Sequence, residues 1–301
     1  MHEYKSFDPE NISTGSMHQY LLAAVAPRPI AFASTVDSEG NINLSPFSFF
    51  NAFSANPPIL VFSPARRGRD NTTKHTYDNV KEVPEVVINI VNYAIVEQMS
   101  LSSTEYEKGV NEFIKSGLTE IGSDLVKPPR VAESPVAFEC KVDRVIELGS
   151  EGGAGNLVIC KIVKVHIQAG YLDSNSGLDT TKLDLVGRMG GSWYTRASGE
   201  SLFEIPKPLT TRGIGIDQLP DGIRQSTVLT GNNLGRLGNL EVLPELESIP
   251  NSIQNTIDEI KSLNTDPLKF IDHAHRIAKK HLDSGDTQTA IEMLIYTESQ
   301  L

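Results

Sequence analysis

Cysteine is scarce in this 301-residue chain, with only Cys140 and Cys160, each inside a strand-like apolar stretch. Two such isolated thiols support no disulfide framework and predict a reducing, cytoplasmic setting. Positive charge is also short: 27 Lys and Arg face 38 Asp and Glu, a formal net charge of −11. That balance excludes the basic footprint of a protein that tracks nucleic-acid phosphates. No apolar run approaches the roughly 18 to 20 residues of a membrane span, and residues 1–10 carry acids where a secretory signal carries bases. Several catalytic motifs are missing too. Gly213-Ile-Gly215-Ile-Asp-Gln218 lacks the third glycine of a dinucleotide fingerprint, and there is no Walker A run, metalloprotease helix pair or Gly-x-Ser-x-Gly elbow. His273 and His275 sit about 200° apart on a predicted helix, so they read as a solvated pair and no metal site is expected.

At 39% apolar and 22% charged residues, the composition is that of an ordinary globular protein with one large domain or two smaller ones. Short β-type runs punctuated by Gly, Pro, Asn and Asp fill the first two thirds: Pro29 to Val36, Phe47 to Phe53, Ile59 to Ser63, Val86 to Asn92, Val136 to Leu148 and Leu157 to Ile167. The last two flank Gly149-Ser-Glu-Gly-Gly-Ala-Gly155 and read as a long antiparallel pair. A helical insert is predicted over Ala94 to Met99 and Ser103 to Ser116, with Gly117 placed to stop it. A Pro-rich joint, Ile205-Pro-Lys-Pro208, and a loop-like stretch through Gly222 follow. Helical spacing then takes over at Ile253, Ile257, Ile260 and Leu263. Asp266 and Pro267 suit the N-cap and first position of a further helix, and Ser284-Gly-Asp286 suits the turn to a last one. The single helix-turn-helix unit is too little for a repeat array.

Chemistry concentrates between Pro27 and Val80. Phe47, Phe49, Phe50 and Phe53 alternate with Ser45, Ser48, Asn51 and Ser54, and Pro46 removes one backbone donor. Apolar faces beside hydroxyls and backbone N–H groups suit a flat heteroaromatic ligand with polar edges. Shortly after, Arg66, Arg67, Arg69 and Lys74 gather with Thr72, Thr73 and Thr76 ahead of a predicted helix from Tyr77 to Glu82. Guanidinium forks and hydroxyls near a helix start suit a phosphate dianion. Arg28 and Arg188 read first as surface ion-pair residues, and only second as contacts to phosphate or a nicotinamide nucleotide.

On these residues the sequence resembles the flavin reductase-like family with an FMN-binding split β-barrel, which includes flavoredoxin-type proteins. The resemblance rests on Pro27-Arg-Pro-Ile-Ala-Phe-Ala-Ser-Thr35, Gly40-Asn-Ile-Asn-Leu-Ser-Pro-Phe-Ser-Phe-Phe-Asn51, Pro57-Pro58 and Lys74-x-Thr76-x-x-Asn79-Val80. It continues through Val86-Val-Ile-Asn-Ile90, Glu133-Ser-Pro-Val136 and Gly187-Arg-Met-Gly-Gly-Ser-Trp-Tyr194, covering about residues 15 to 200. It implies a split β-barrel with helical inserts over 1–205; with the helical spacing beyond, which the resemblance does not reach, the chain is expected to be mainly β with an α-helical extension over 206–301. The resemblance implies FMN at the interface of a homodimer, the ring against Ser45, Pro46, Phe47, Ser48, Phe49, Phe50 and Asn51, and the phosphate near Lys74 and Thr76. Arg66, Arg67 and Arg69 are expected to compensate there for a missing acid, and Tyr194, with Trp193 beside it, reads either as a wall of the ring site or as a packed strand aromatic. In place of the family's usual acid between lysine and threonine this chain has His75. The activity implied is an NAD(P)H:flavin oxidoreductase, with NADH or NADPH as donor. A non-enzymatic FMN-binding electron-transfer or flavin-storage protein is the alternative. No catalytic side chain is singled out, because flavin carries its own redox chemistry.

Overall fold

The Val- and Ile-rich stretches on either side of the 149–155 turn pair with each other, and the main sheet is assembled on that hairpin. The computed structural model describes residues 2–205 and 212–301. The chain divides into two units, Met1–Phe203 and Glu204–Leu301. Pro206 to Pro208 of the Pro-rich joint lie outside the described residues.

The first unit begins with α1 (Thr14–Ala24), whose N-cap Ser13 accepts from the Ser16 N–H at 3.0 Å. Four strands follow, β1 (Ala31–Val36), β2 (Ile42–Phe47), β3 (Phe50–Ala55) and β4 (Pro58–Phe62). After α2 (His75–Glu82) and β5 (Glu85–Ile90) come the short helices α3 (Val96–Leu101) and α4 (Glu112–Ser116). The two-residue strands β6 (Glu120–Ile121) and β7 (Arg130–Val131) pair with each other, ahead of the long hairpin β8 (Val136–Glu147) and β9 (Asn156–Ile167). The helical turn α5 (Thr180–Leu183) leads into a second hairpin, β10 (Leu185–Arg188) and β11 (Tyr194–Ala197). The main sheet is antiparallel in the order β2-β1-β5-β8-β9-β4-β3. Its ladder does not close among the described residues, since β2 and β3 are each paired on one side.

Phe47 to Phe53 is therefore not one strand, as its alternation suggests. The chain leaves β2 at Phe47 and enters β3 at Phe50, and these strands lie at opposite edges of the sheet. Phe47 and Phe50 both pack on the core formed by Leu60, Phe62, Val158 and Cys160, with the Phe47 and Phe62 rings 5.5 Å apart. Residues three apart in a straight strand face opposite sides. The chain bends at Ser48-Phe49 so that both rings can turn inward. The helix expected over Ser103 to Ser116 also shortens to α4. Asn111 caps it by accepting the Phe113 N–H at 2.9 Å, and Gly117, at φ 68°, stops it as expected.

Arg28 fixes the bend, and it is no surface ion-pair residue: it is 5% exposed and has no carboxylate partner among the described residues. Its guanidinium donates to the carbonyls of Leu22 (2.5 Å) and Val25 (2.8 Å) at the end of α1, to Met189 O (3.0 Å) beyond β10, and to Ser48 Oγ (3.2 Å). The Arg28 and Arg188 backbones also exchange both N–H···O bonds, at 3.0 and 2.8 Å. Burial, and then the neighbouring Arg188 charge, hold the Arg28 guanidinium below the usual arginine range.

The second unit consists of α6 (Asp221–Arg224), α7 (Gly231–Gly238), α8 (Asn251–Leu263), α9 (Pro267–Asp283) and α10 (Thr287–Ser299). Taken over both units the chain is mixed rather than mainly β, and α6 occupies a stretch whose glycines read as loop. The glycines of the broken fingerprint serve packing: a Cβ on Gly213 would meet Gly238 O at 2.5 Å, and Gly215 adopts φ 82°. The amphipathic faces pack on one another, with Ile223, Leu237, Ile257, Leu282, Ile291 and Leu294 fully buried. His273 is exposed as expected, but His275 is buried, its Nδ1 2.8 Å from Ser226 Oγ and its Nε2 without a hydrogen-bond partner.

Both buried groups have measurable consequences. Arg28→Met strips the donor from three carbonyls and a hydroxyl, and should cost on the order of 3 kcal/mol in urea unfolding followed by the single tryptophan, Trp193. Arg28→Lys should recover less than half, because an ammonium cannot span the same fork. Burial lowers the His275 pKa, with Asp272 opposing it. The unfolded state thus binds the proton more readily, so the stability this group contributes is full above about pH 6.5 and falls as the pH drops below it. Hydrogen exchange of the α9 amides should accelerate more between about pH 7.5 and 5.5 in the wild type than in His275→Gln, after correction for the intrinsic rate.

Candidate functional site

The bend at Ser48-Phe49 and the cationic loop after β4 lie at one end of the sheet, because the Ser63 N–H donates to Phe49 O at 2.9 Å and Arg66 follows three residues later. Edge strands leave every second N–H and C=O facing away from their single partner. On β2 the Leu44 N–H is taken at 2.9 Å by the carboxylate of Glu112, a buried acid whose pKa burial raises. Pro46 has no N–H at the next position of that alternation, and Ser48 stands at the one after. All of β3 beyond Phe50 is exposed, Phe53 to 68%. Phe47 and Phe50 are half-buried, whereas Phe49 is exposed and meets the His18 ring edge-on at 6.2 Å. Ser45, Pro46 and Ser48 are half-buried, and Asn51 is exposed with Oδ1 accepting the Ala52 N–H at 2.8 Å.

Beside the bend, an open groove of about 830 Å³ runs between α1 and the β10–β11 hairpin, lined by Leu22, Ala23, Met189, Trp193 and Tyr194 among others. Tyr194 is 37% exposed, and the Arg188 guanidinium carbon lies 4.6 Å from its ring centroid. Arg188 also donates to Trp193 O at 3.1 Å. Among the described residues it has no carboxylate partner, so it stands as a stacked cation.

The cationic loop is propped by the glycine turn of the β8–β9 hairpin. Arg66 N–H donates to Ala154 O (2.9 Å), Gly153 N–H to Arg66 O (3.1 Å), and Asn71 Nδ2 to Ser150 O (2.9 Å). A Cβ on Gly152 would stand 3.1 Å from Arg67 O and 3.2 Å from Gly68 Cα, so the approach needs a residue without one. Arg66 is spent within the loop, both of its bonds reaching Asn71 at 2.6 Å. The other three cations converge on one carboxylate, that of Glu105. Its Oε1 accepts from Arg67 Nε at 3.0 Å and Lys74 Nζ at 3.1 Å, and its Oε2 accepts from Arg69 Nη2. Lys74 and Arg67 thereby hold the Glu105 carboxyl below the usual range.

Thr76 is buried, its Oγ1 accepting from Asn43 Nδ2 at 2.9 Å, so its side chain anchors α2 to β2. The N–H groups of His75 and Thr76 sit in the first turn of α2, where helix geometry supplies no intrahelical acceptor. Desolvation, then the charge of Arg67, lower the His75 pKa. Two residues take places here that the sequence does not mark. Glu105 lies in a stretch that reads as helix, 31 residues from Lys74. Arg28 sits between two prolines with nothing to mark it as buried.

Known proteins resemble the first unit of the chain. The profile of the flavin reductase like domain matches residues 23–182. An uncharacterised protein of Halalkalibacterium halodurans is 36% identical over 203 residues, 67% of this chain and 95% of that one. Nitrilotriacetate monooxygenase component B from Bacillus cereus superposes with a TM-score of 0.63 at 28% identity, covering 68% of this chain and 100% of that one. The 2-nitrobenzoate 2-nitroreductase NbaA of Pseudomonas fluorescens gives 0.60 at 25% identity, over 69% and 100%. These proteins match nearly end to end, and the remainder of this chain has about the length of its second unit. Since the matched domain spans more than half of the sequence, the chain belongs to the flavin reductase-like family.

Proposed function

We propose that the first unit is an FMN-binding split barrel and that the protein is an oxidoreductase taking hydride from NADH or NADPH. The observation that carries this reading is the convergence of Arg67, Arg69 and Lys74 on a single anionic group beside a bent sheet edge. The donor set fits FMN: forks and an ammonium for the phosphate, with first-turn N–H groups of α2 behind them. Thr76 contributes there through its backbone rather than its hydroxyl. Ser45, Pro46, Phe47, Ser48, Phe49, Phe50 and Asn51 offer a polar backbone edge backed by rings, suited to a flat heterocycle. Tyr194, stacked on Arg188, walls the groove from the other side.

Bound flavin supplies the hydride and one-electron chemistry. This chain's residues bind and orient it. Buried Arg28 locks Ser48 in place, Glu112 holds β2 where an edge strand would otherwise fray, and the sheet core behind Phe47 excludes water. A homodimer agrees with the exposed β3 and with the apolar Tyr20, Leu21 and Val25 exposed on and after α1. The net charge of −11 repels a nicotinamide nucleotide at long range, so Arg188 and the loop cations must attract it locally. One similar structure is named as a monooxygenase component and another as a nitroreductase.

The purified protein titrated with FMN should bind it with an absorbance band near about 450 nm. Lys74→Ala should weaken FMN about tenfold, because a charge-assisted bond to phosphate is lost, and should leave riboflavin affinity unchanged. Equal weakening of both ligands would place the phosphate elsewhere. Anaerobic mixing with NADH or NADPH should bleach the band at catalytic rates. A band that persists would favour an electron carrier or storage protein.

A further inference from the structure

Flavin binding as described leaves Glu105 without a task, although it is the most heavily engaged carboxylate of the site. Three cations from one loop reach it, and Arg67 is only 14% exposed along its side chain. A carboxylate and a phosphate present the same acceptor geometry to guanidinium forks and to an ammonium. Both cannot hold the same donors at once. We propose that Glu105 is a resident anion of this site: its carboxylate occupies the place of the flavin phosphate, leaves when FMN binds, and so keeps FMN exchangeable. The proposal rests on the FMN reading given above.

Three features support displacement. First, Glu105 comes from the turn-rich segment between α3 and α4, whose bonds are local: Ser103 N–H to Ser100 O, Tyr106 N–H to Thr104 O and Val110 N–H to Glu107 O. The segment can swing without breaking the sheet. Second, its far end is pinned by Glu112 on the Leu44 N–H, which confines the swing to residues near Glu105. Third, its side chain is 35% exposed and has water to move into.

Charge sets the direction of the exchange. A phosphate monoester carries about −1.5 to −2 at neutral pH against −1 for the carboxylate, so FMN wins the three cations, though by less than it would at an empty site. The apparent affinity equals the intrinsic one scaled by the fraction of molecules in which Glu105 has let go. If that fraction is about one in ten, removing the competing charge tightens FMN about tenfold. Riboflavin, which lacks the phosphate, gains nothing.

The test is titration of wild type and Glu105→Gln with FMN and with riboflavin, with dissociation rates by stopped flow. Tighter FMN, slower FMN release and unchanged riboflavin affinity in E105Q support the proposal. Unchanged or weaker FMN, or equal tightening of both ligands, overturns it and makes Glu105 a brace for the cations. A second measurement needs no variant. In wild type, amide exchange over residues 103–110 should speed up when FMN or inorganic phosphate binds, the reverse of ordinary ligand protection, and slower exchange there also overturns the proposal. Should wild type bind no FMN, the flavin reading fails by itself, while inorganic phosphate still decides whether Glu105 is displaced.

Discussion

Two residues, Ser48 and Phe49, join the opposite edges of a seven-stranded sheet, and the rest of the first unit follows from that short span. Seven flat strands would hold their edges about 29 Å apart, whereas three Cα steps from Phe47 to Phe50 cover at most about 11 Å. The sheet must curl until its edges meet at one end. That corner is where backbone groups of two edge strands stand side by side without a ladder to consume them. Arg28 makes the corner rigid by collecting carbonyls from α1 and the β10 region together with Ser48. A buried guanidinium suits this role because its planar fork binds several acceptors at fixed angles.

The cationic loop sets a second, opposing requirement. Like charges held close together repel, and an acidic protein offers many carboxylates that could draw them apart. The loop answers in parts: Arg66 is tied to Asn71, Arg69 is shared with Asp70, and the glycine turn holds the backbone from behind. What is left for a ligand is a compact triad rather than a diffuse basic patch. Screening by salt reaches exposed Arg69 more readily than the largely covered Arg67.

Much of this architecture is legible in the sequence. The β8–β9 pair, the stop at Gly117 and the Asp266-Pro267 helix start are set by local chemistry, and each stands within a residue or two of its expected place. The failures share a cause, which is that tertiary partners decide them. The phenylalanine run reads as a single strand because alternation is a local signal, while the bend answers to a core built from β4 and β9. The expected helix is absent over Ser103 to Val110, where short local turns take its place and Glu105 alone reaches the cationic loop. α1 escapes notice because none of its residues is buried, so it carries no clear apolar stripe. At the candidate site, Thr76 turns inward and Arg28 goes from surface to interior.

The β8–β9 hairpin carries a further implication. Its base pairs with β5 at residues 137–141, its middle with β4 at residues 158–161, and its tip supports Arg66 to Gly68. Register irregularities at Glu139/Cys140 and Val142/Arg144 bend it along the way. The hairpin is therefore a ruler: its residue count sets the span between the sheet interior and the anion loop, in increments of about 3.3 Å per residue. Lengthening one arm by a single position would also invert which side chains face inward. A one-residue change in this arm would therefore shift the anion loop and reverse the inward face together, so neither can be adjusted without the other.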